Sequence, residues 1–188
     1  MSLIDLVVTV HERLGDAGVP HAFGGALALA YVAEPRGTVD IDVNVFAPLA
    51  EIDGALAALA PVGLEPEHDR TQWVPIAGIR LRHRSDPFPV DVFPSLDPAY
   101  ETIRDRVVEH PFGPERRPLP FLSAEDLTVF KLSFGRPKDW VDITAIAAAA
   151  PDLDVDYIER QTVHLRGPTM HPRVVRLRSL LRGPGRTD

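Results

Sequence analysis

The stretch TVDIDVNVF, residues 38 to 46, restricts the fold more than any other part of the chain. Thr38, Asp40, Asp42 and Asn44 alternate with Val39, Ile41, Val43 and Val45. Successive side chains of a strand point to opposite faces, so the alternation sorts into one β-branched apolar face and one polar face. A helix would mix the two sets around its circumference. The packed face holds the strand, and the strand holds both carboxylates, whose Cβ atoms lie about 6.5 to 7 Å apart. Two anions this close raise one another's pKa unless a cation joins them. An oxygen-only donor set suits Mg²⁺ or Mn²⁺ rather than zinc. FPVDVFP repeats the pattern, with Asp91 between Val90 and Val92. Three carboxylates on adjacent strands form the skeleton of two-metal phosphoryl transfer. Taken alone, a D-x-D on a half-exposed strand is only its solvated face, so the neighbouring residues have to decide.

Elsewhere the chain reads as mixed helix and strand. Leu3, Leu6, Val7, Val10 and Leu14 recur at helical spacing over residues 3 to 14. His21-Ala22-Phe23 reads as a short strand running into Gly24-Gly25, with a small-residue helix over Ala26 to Val32. Pro48 to Ala60 reads as a second amphipathic helix, and Thr71–Pro75, Ile79–Arg84 and Pro89–Phe93 as three short strands. A helix is expected over Pro98 to Glu109, then a proline-rich link from Pro111 to Pro120. Ser123, with Asp126 three residues on, opens a helix, and Lys138 to Ala149 and Asp154 to Leu165 suggest two more. The expectation is an α+β fold: a core with a mixed sheet over residues 1 to 120, then a C-terminal helical region with a basic tail over 121 to 188.

Hydrophobic residues make up 45% of the 188, enough for a real core, and the formal charge of −7 argues against general coating of nucleic acid. The charge is uneven, however. Arg160, Arg166, Arg173, Arg176, Arg178, Arg182 and Arg186 crowd the C-terminal end against Asp188. Such a tail can grip a polyanion locally, or it can be a solvated helix face with a frayed end. No apolar run reaches the about 18 residues of a membrane span, and the N-terminus lacks the basic start of a secretory signal. Cysteine is absent, which fits a reducing cytoplasm.

Gly24-Gly25 ends a strand and begins a helix. Missing Cβ atoms let backbone N–H groups approach a phosphate, although such a pair also serves a plain tight turn. Arg36 and Thr38 then lead into the D-x-D. Downstream, FKLSFGRPKDWVDI carries Lys131, Arg136, Lys138, Asp139 and Asp142. Lys131 can aim an ammonium at triphosphate oxygens, with Asp139 orienting it or binding substrate; the plain alternative is a surface ion pair.

Together these stretches resemble a known family. FGGALALAYVAEPRGTVDIDVNV resembles the opening motif of the minimal nucleotidyltransferases: a glycine turn, a helix, then R-x-T-x-D-x-D. AEDLTVFKLSFGRPKDWVDI resembles the later motif of the AbiEii and MenT-type toxins, most of all the shorter mycobacterial MenT members. The resemblance implies a DNA-polymerase-β-like nucleotidyltransferase core using an NTP and Mg²⁺ or Mn²⁺. It implies nucleotide addition to the acceptor end of tRNA, which halts translation, and a cognate antitoxin partner. Carried over by position, Gly24 and Gly25 would cradle the phosphates, beside Arg36 and Thr38. Asp40 and Asp42 would hold the metals, with Asp91 as the third carboxylate of the wider superfamily. Lys131 and Asp139 would be the later catalytic pair. The chain departs from the toxins in having glycine where they often have serine in the phosphate turn. A phosphate on Thr38 would add about −2 charge beside the carboxylates and could be an antitoxin's off-switch. Two rivals stand beside this reading: a nucleotidyltransferase acting on an antibiotic, and a non-catalytic binding partner that keeps the fold.

Overall fold

The computed structural model describes residues 1–74, 77–83, 85 and 87–182. Pro75, Arg84, Asp86, Arg186 and Asp188 of the expected strands, turn and tail lie outside the described residues. The chain divides into two compact units. The first takes Met1–Leu27 and Gly37–Phe121; the second takes Ala28–Arg36 and the chain from Leu122 onward.

The first unit is built on a seven-stranded mixed sheet. Its strands are β1 (His21–Phe23), β2 (Ile41–Pro48), β3 (Leu64–Pro66), β4 (Ile79–His83), β5 (Val90–Ser95), β6 (Val108–Phe112) and β7 (Arg117–Phe121), in the order β3-β4-β5-β2-β1-β7-β6. β5 runs parallel to β2, and β4 runs antiparallel to β5. Register stacks the residues into rows across these strands. Ile41, Val90 and Leu81 form one row, and Val43, Val92 and Ile79 form another. All six are buried. The second row continues through Phe23 to Phe121 on the far side of the sheet. Fully burying a Val, Leu, Ile or Phe side chain contributes about 1.5–3 kcal/mol, so these rows hold the register against slippage.

Three helices complete this unit: α1 (Leu3–Asp16), α3 (Asp53–Leu59) and α4 (Tyr100–Arg104). α1 buries Leu6, Val7, Val10 and Leu14 and starts with a reciprocal cap between Ser2 and Asp5. α2 (Gly25–Val32) begins in this unit and continues into the second.

Several boundaries differ from the sequence reading. β2 starts at Ile41 rather than Thr38, because the Thr38 hydroxyl bonds the backbone and carboxylate of Asp40 and bends the chain locally. Val39, expected on the packed face, is 69% exposed. The expected helix from Pro48 gives way to a 3₁₀ turn, Leu49–Glu51, before α3. Thr71 and Gln72 close a 3₁₀ turn rather than a strand. The expected helix over Pro98 to Glu109 stops at Arg104, and β6 begins at Val108. The proline-rich link is a hairpin of β6 and β7. Prolines are tolerated there because β6 is an edge strand and β7 meets β1 only at Phe121. β3, a three-residue strand with one buried side chain, carries too short a pattern to be read in advance.

The second unit is helical: α5 (Ala124–Phe134), α6 (Pro137–Ala149), α7 (Val155–Arg166) and α8 (His171–Arg182). Ser123 caps α5 as expected, accepting from the Asp126 N–H. The fully buried Asp126 carboxylate accepts from Ser123 Oγ at 2.6 Å and from Tyr157 Oη at 2.5 Å, tying α5 to α7. The basic tail forms α8 as far as Arg182, with Val174 and Leu177 buried. Among the described residues no helix is long and apolar enough to cross a membrane.

At the start of β1, His21 donates from Nδ1 to the Val19 carbonyl (2.9 Å), which leaves Nε2 to accept from His11 Nδ1 (3.0 Å). Burial pushes His21 down to about 4, against the pull of the Val19 bond. A histidine with a depressed folded pKa stabilises fully above its unfolded pKa and loses that contribution as pH falls toward the folded one. Between pH 6.5 and 4 the loss is about 3 kcal/mol. Denaturant unfolding of the wild type and His21→Gln should therefore converge by about that amount on acidification through this window. A constant difference between the two would show that His21 titrates normally.

Candidate active site

Between the two apolar rows lies a polar one. Asp42 on β2 is the register partner of Asp91 on β5, and Asp91 is the partner of Arg80 on β4. Neighbouring strands lie about 4.8 Å apart, and register partners share a face, so the three side chains stand side by side. Gly24 extends the row, donating its N–H to the Asp42 carbonyl at 2.9 Å. At the other end the Glu67 N–H donates to the Arg80 carbonyl at 2.8 Å.

Each member is held in a different way. Arg80 grips Asp91 with two bonds, Nε to Oδ1 at 2.8 Å and Nη2 to Oδ2 at 2.6 Å. Asp91 is buried. The hydrogen bond to Asp91, opposed by desolvation and reinforced by the charges of Asp91, Asp40 and Glu67, raises the Arg80 pKa above its ordinary value. Asp40 sits just before β2 and accepts from Thr38 Oγ1 at 2.6 Å. Asp42 lies against the glycine turn. A Cβ built on Gly25, whose φ is +54°, would stand 1.7 Å from Asp42 Oδ2 and 2.6 Å from its Cγ. Only glycine permits both that backbone conformation and that approach.

The later motif is arranged differently from the expected pair. Lys131, on α5 and only 5% exposed, donates to Asp142 Oδ2 at 2.6 Å. Arg36 donates to the same carboxylate from Nε (2.9 Å) and Nη2 (3.0 Å). Asp139 serves α6 instead, where it accepts from the backbone N–H and the guanidinium of Arg136. Desolvation pushes Asp142 up, but the bonds from Arg36 and Lys131 outweigh it, and its pKa is lowered. Asp142 thus meets two cations, and the Arg36 side chain is 39% exposed.

Solved structures share this fold. The antibiotic-resistance factor ANT(2'')-Ia aligns over 94% of this chain and 95% of its own, with a TM-score of 0.58 at 16% identity. The lincosamide antibiotic adenylyltransferase LnuA aligns over 79% of this chain and 98% of its own (TM-score 0.56, 14% identity). A nucleotidyltransferase-like protein from Paracoccidioides brasiliensis aligns over 95% and 92% (TM-score 0.53, 17% identity). The fold is that of the nucleotidyltransferases. No protein-family model matches the chain, and no curated protein matches it in sequence.

The nucleotidyltransferase fold therefore brings Asp42 and Asp91 side by side, with Asp40 two residues upstream and Gly24-Gly25 adjoining Asp42. Among the described residues no group of three or more acidic or histidine side chains is disposed to hold a metal. Asp91, the third carboxylate of the expected trio, accepts from Arg80 through both of its oxygens. The residues still fit a hard dication: the donors are all carboxylate oxygens, and the missing Gly25 Cβ makes room for the Asp42 carboxylate itself. Two residues have partners that the sequence does not show. Arg80 is legible there only as a cation that could meet an RNA backbone, because its partner lies across a strand pair whose register the sequence does not show. Asp142 was noticed as an i, i+3 neighbour of Asp139, but nothing in that spacing selects it for Lys131.

Two outcomes follow within this nucleotidyltransferase fold. Gly25→Ala must displace the Asp42 carboxylate and strain a left-handed backbone by about 1–2 kcal/mol. Urea unfolding of the variant should show at least that loss of stability. Asp142→Ala leaves Lys131 buried without its carboxylate and should cost about 3–5 kcal/mol in urea unfolding. Because the Asp142 pKa is lowered, its contribution is present above about pH 3.8, its ordinary value, and is lost as pH falls through the folded one. The gap between wild type and variant should therefore close in acid.

Proposed function

We propose that this chain transfers a nucleoside monophosphate from an NTP to a hydroxyl acceptor, and that the acceptor is the 3′ end of tRNA. The supporting observation is the row of Gly24, Asp42 and Asp91 in register, with Asp40 at its edge. Asp40 and Asp42 would hold Mg²⁺ or Mn²⁺, which when bound supplies charge neutralisation to the triphosphate. The Gly24-Gly25 turn admits the phosphate chain close to the backbone and the start of α2. The acceptor oxygen attacks the α-phosphorus in line. One P–O bond forms, the bond to the leaving oxygen breaks, pyrophosphate departs, and the acceptor proton passes to a carboxylate of the row or to water. Positioning and charge supply the rate, since the protein forms no covalent bond in this step. The cluster of Arg36, Asp142 and Lys131 serves phosphate oxygens of a ligand on the second unit, with Asp142 as the residue that holds both cations and Asp139 holding Arg136.

The order of the two motifs supports a toxin of the AbiEii/MenT type, acting in the cytoplasm under a cognate antitoxin. Thr38 is the point at which such a partner would act. Its hydroxyl bonds Asp40, and a phosphate there would set about −2 charge against that carboxylate.

A second reading, transfer to a small cationic molecule, draws on specific observations. The neighbours ANT(2'')-Ia, solved with adenylyl-2''-tobramycin, and LnuA, solved with lincomycin, act on antibiotics. In this chain several arginines that could otherwise meet an RNA backbone are engaged internally. Arg82 bonds Glu67, Arg178 bonds Asp156 and Glu159, and Arg173 bonds the last carbonyls of α5. The net charge of −7 also suits a cation better than a polyanion.

One experiment separates these readings: mass spectrometry after incubation with Mg²⁺ and each NTP in turn, with tRNA in one arm and an aminoglycoside and lincosamide panel in the other. A nucleotide added to tRNA, and lost in both Asp40→Ala and Thr38→Glu, is the expected result. Mass gain only on an antibiotic would replace the acceptor, and no gain in either arm would remove the enzyme assignment.

A further inference from the structure

We propose that Arg80 is the internal counter-ion of the carboxylate row, keeping Asp91 out of metal coordination until a divalent cation takes its place. The inference rests on the nucleotidyl-transfer reading and concerns how its metal site is assembled. Asp91 lies between Asp42 and Arg80 in register, so it has an anion on one side and a cation on the other. The fork of Arg80 occupies both Asp91 oxygens, at 2.8 and 2.6 Å. A carboxylate gripped in this way presents its charge to the guanidinium rather than to a cation shared with Asp42.

The two partners are unequally anchored. Asp91 is 7% exposed, on a strand paired on both sides. The Arg80 side chain is 40% exposed on a long flexible stem, so it can leave while the carboxylate stays. Adjacent carboxylates in one row need a counter-charge. Arg80 supplies one positive charge, and a divalent ion would supply two at shorter range. Both cannot hold the same face of Asp91, because a guanidinium beside the ion repels it. Arg80 and the metal are alternative counter-charges, and Arg80 therefore sets the metal affinity of the row.

This makes an unusual demand of a substitution: removing a residue of the site must tighten binding. If Arg80 instead served to orient Asp91 toward the metal, its removal would weaken binding. The two roles thus differ in sign.

The test is titration with Mn²⁺ in the absence of nucleotide, following free Mn²⁺ by electron paramagnetic resonance. Arg80→Met should bind about tenfold more tightly than the wild type, within the range shown by directly coupled ionic groups. Most of that gain should vanish in Arg80→Met/Asp91→Asn, because the carboxylate released by the first change is removed by the second. Arg82→Met, which loses the same charge two residues along β4, should shift affinity by less than about twofold, as expected of a screened surface charge. If Arg80→Met fails to fold, Arg80→Lys keeps the charge without the fork and should still bind more tightly, by a smaller factor. Binding no tighter than the wild type in the folded variants, or a gain that persists with Asp91→Asn, overturns the proposal. If the wild type binds no Mn²⁺ that Asp42→Asn abolishes, the nucleotidyl-transfer reading falls as well. Wild-type binding without the gain removes this inference alone.

Discussion

The register of β2, β5 and β4 is the constraint on which the rest of the first unit depends. It makes two apolar rows, Ile41–Val90–Leu81 and Val43–Val92–Ile79, and places one polar row between them. Shifting any of these strands by one residue would turn buried valines to the polar face and carboxylates into the core. The hydrophobic effect therefore positions the acidic groups without touching them. Burial of six aliphatic side chains decides where Asp42, Asp91 and Arg80 stand, and stabilises an arrangement that would otherwise set two carboxylates side by side with nothing to hold them.

The polar row is balanced by local means. Arg80 meets Asp91, Thr38 meets Asp40, and the glycine turn closes on Asp42. In the second unit the same requirement is met by Asp142, which collects Arg36 and Lys131. A buried ion pair is weak support for stability in itself, but removing one partner from it is costly. Both clusters thus resist loss of a single residue more than they stabilise the fold, a pattern suited to holding charge in position for a ligand. The nucleotidyltransferase fold supplies the frame within which these pairings form.

Much of the local structure was legible in the sequence. The period-two alternation identified β2 and β5, and helical spacing identified α1. The Ser123 cap and the Gly24-Gly25 turn were read at their actual positions. The misses have specific causes. The β6–β7 hairpin hid behind prolines that suggest a link, which an edge strand tolerates. For α8 the sequence left open a polyanion grip or a solvated helix face; the helix is settled by contacts it does not show, Arg173 capping the carbonyls of α5 and Arg176 lying 3.9 Å over the Trp140 ring.

The sequence by itself determined which residues share a face and which begin a helix, because these depend on spacing along the chain and on side chains within a turn of one another. Tertiary structure alone decided who answers whom: Lys131 with Asp142 rather than Asp139, and Asp91 with Arg80 rather than with Asp42 and a cation. Those choices depend on strand register and helix packing between segments distant in the chain. A carboxylate takes whichever cation the fold brings nearest, and spacing along the chain carries no record of that distance.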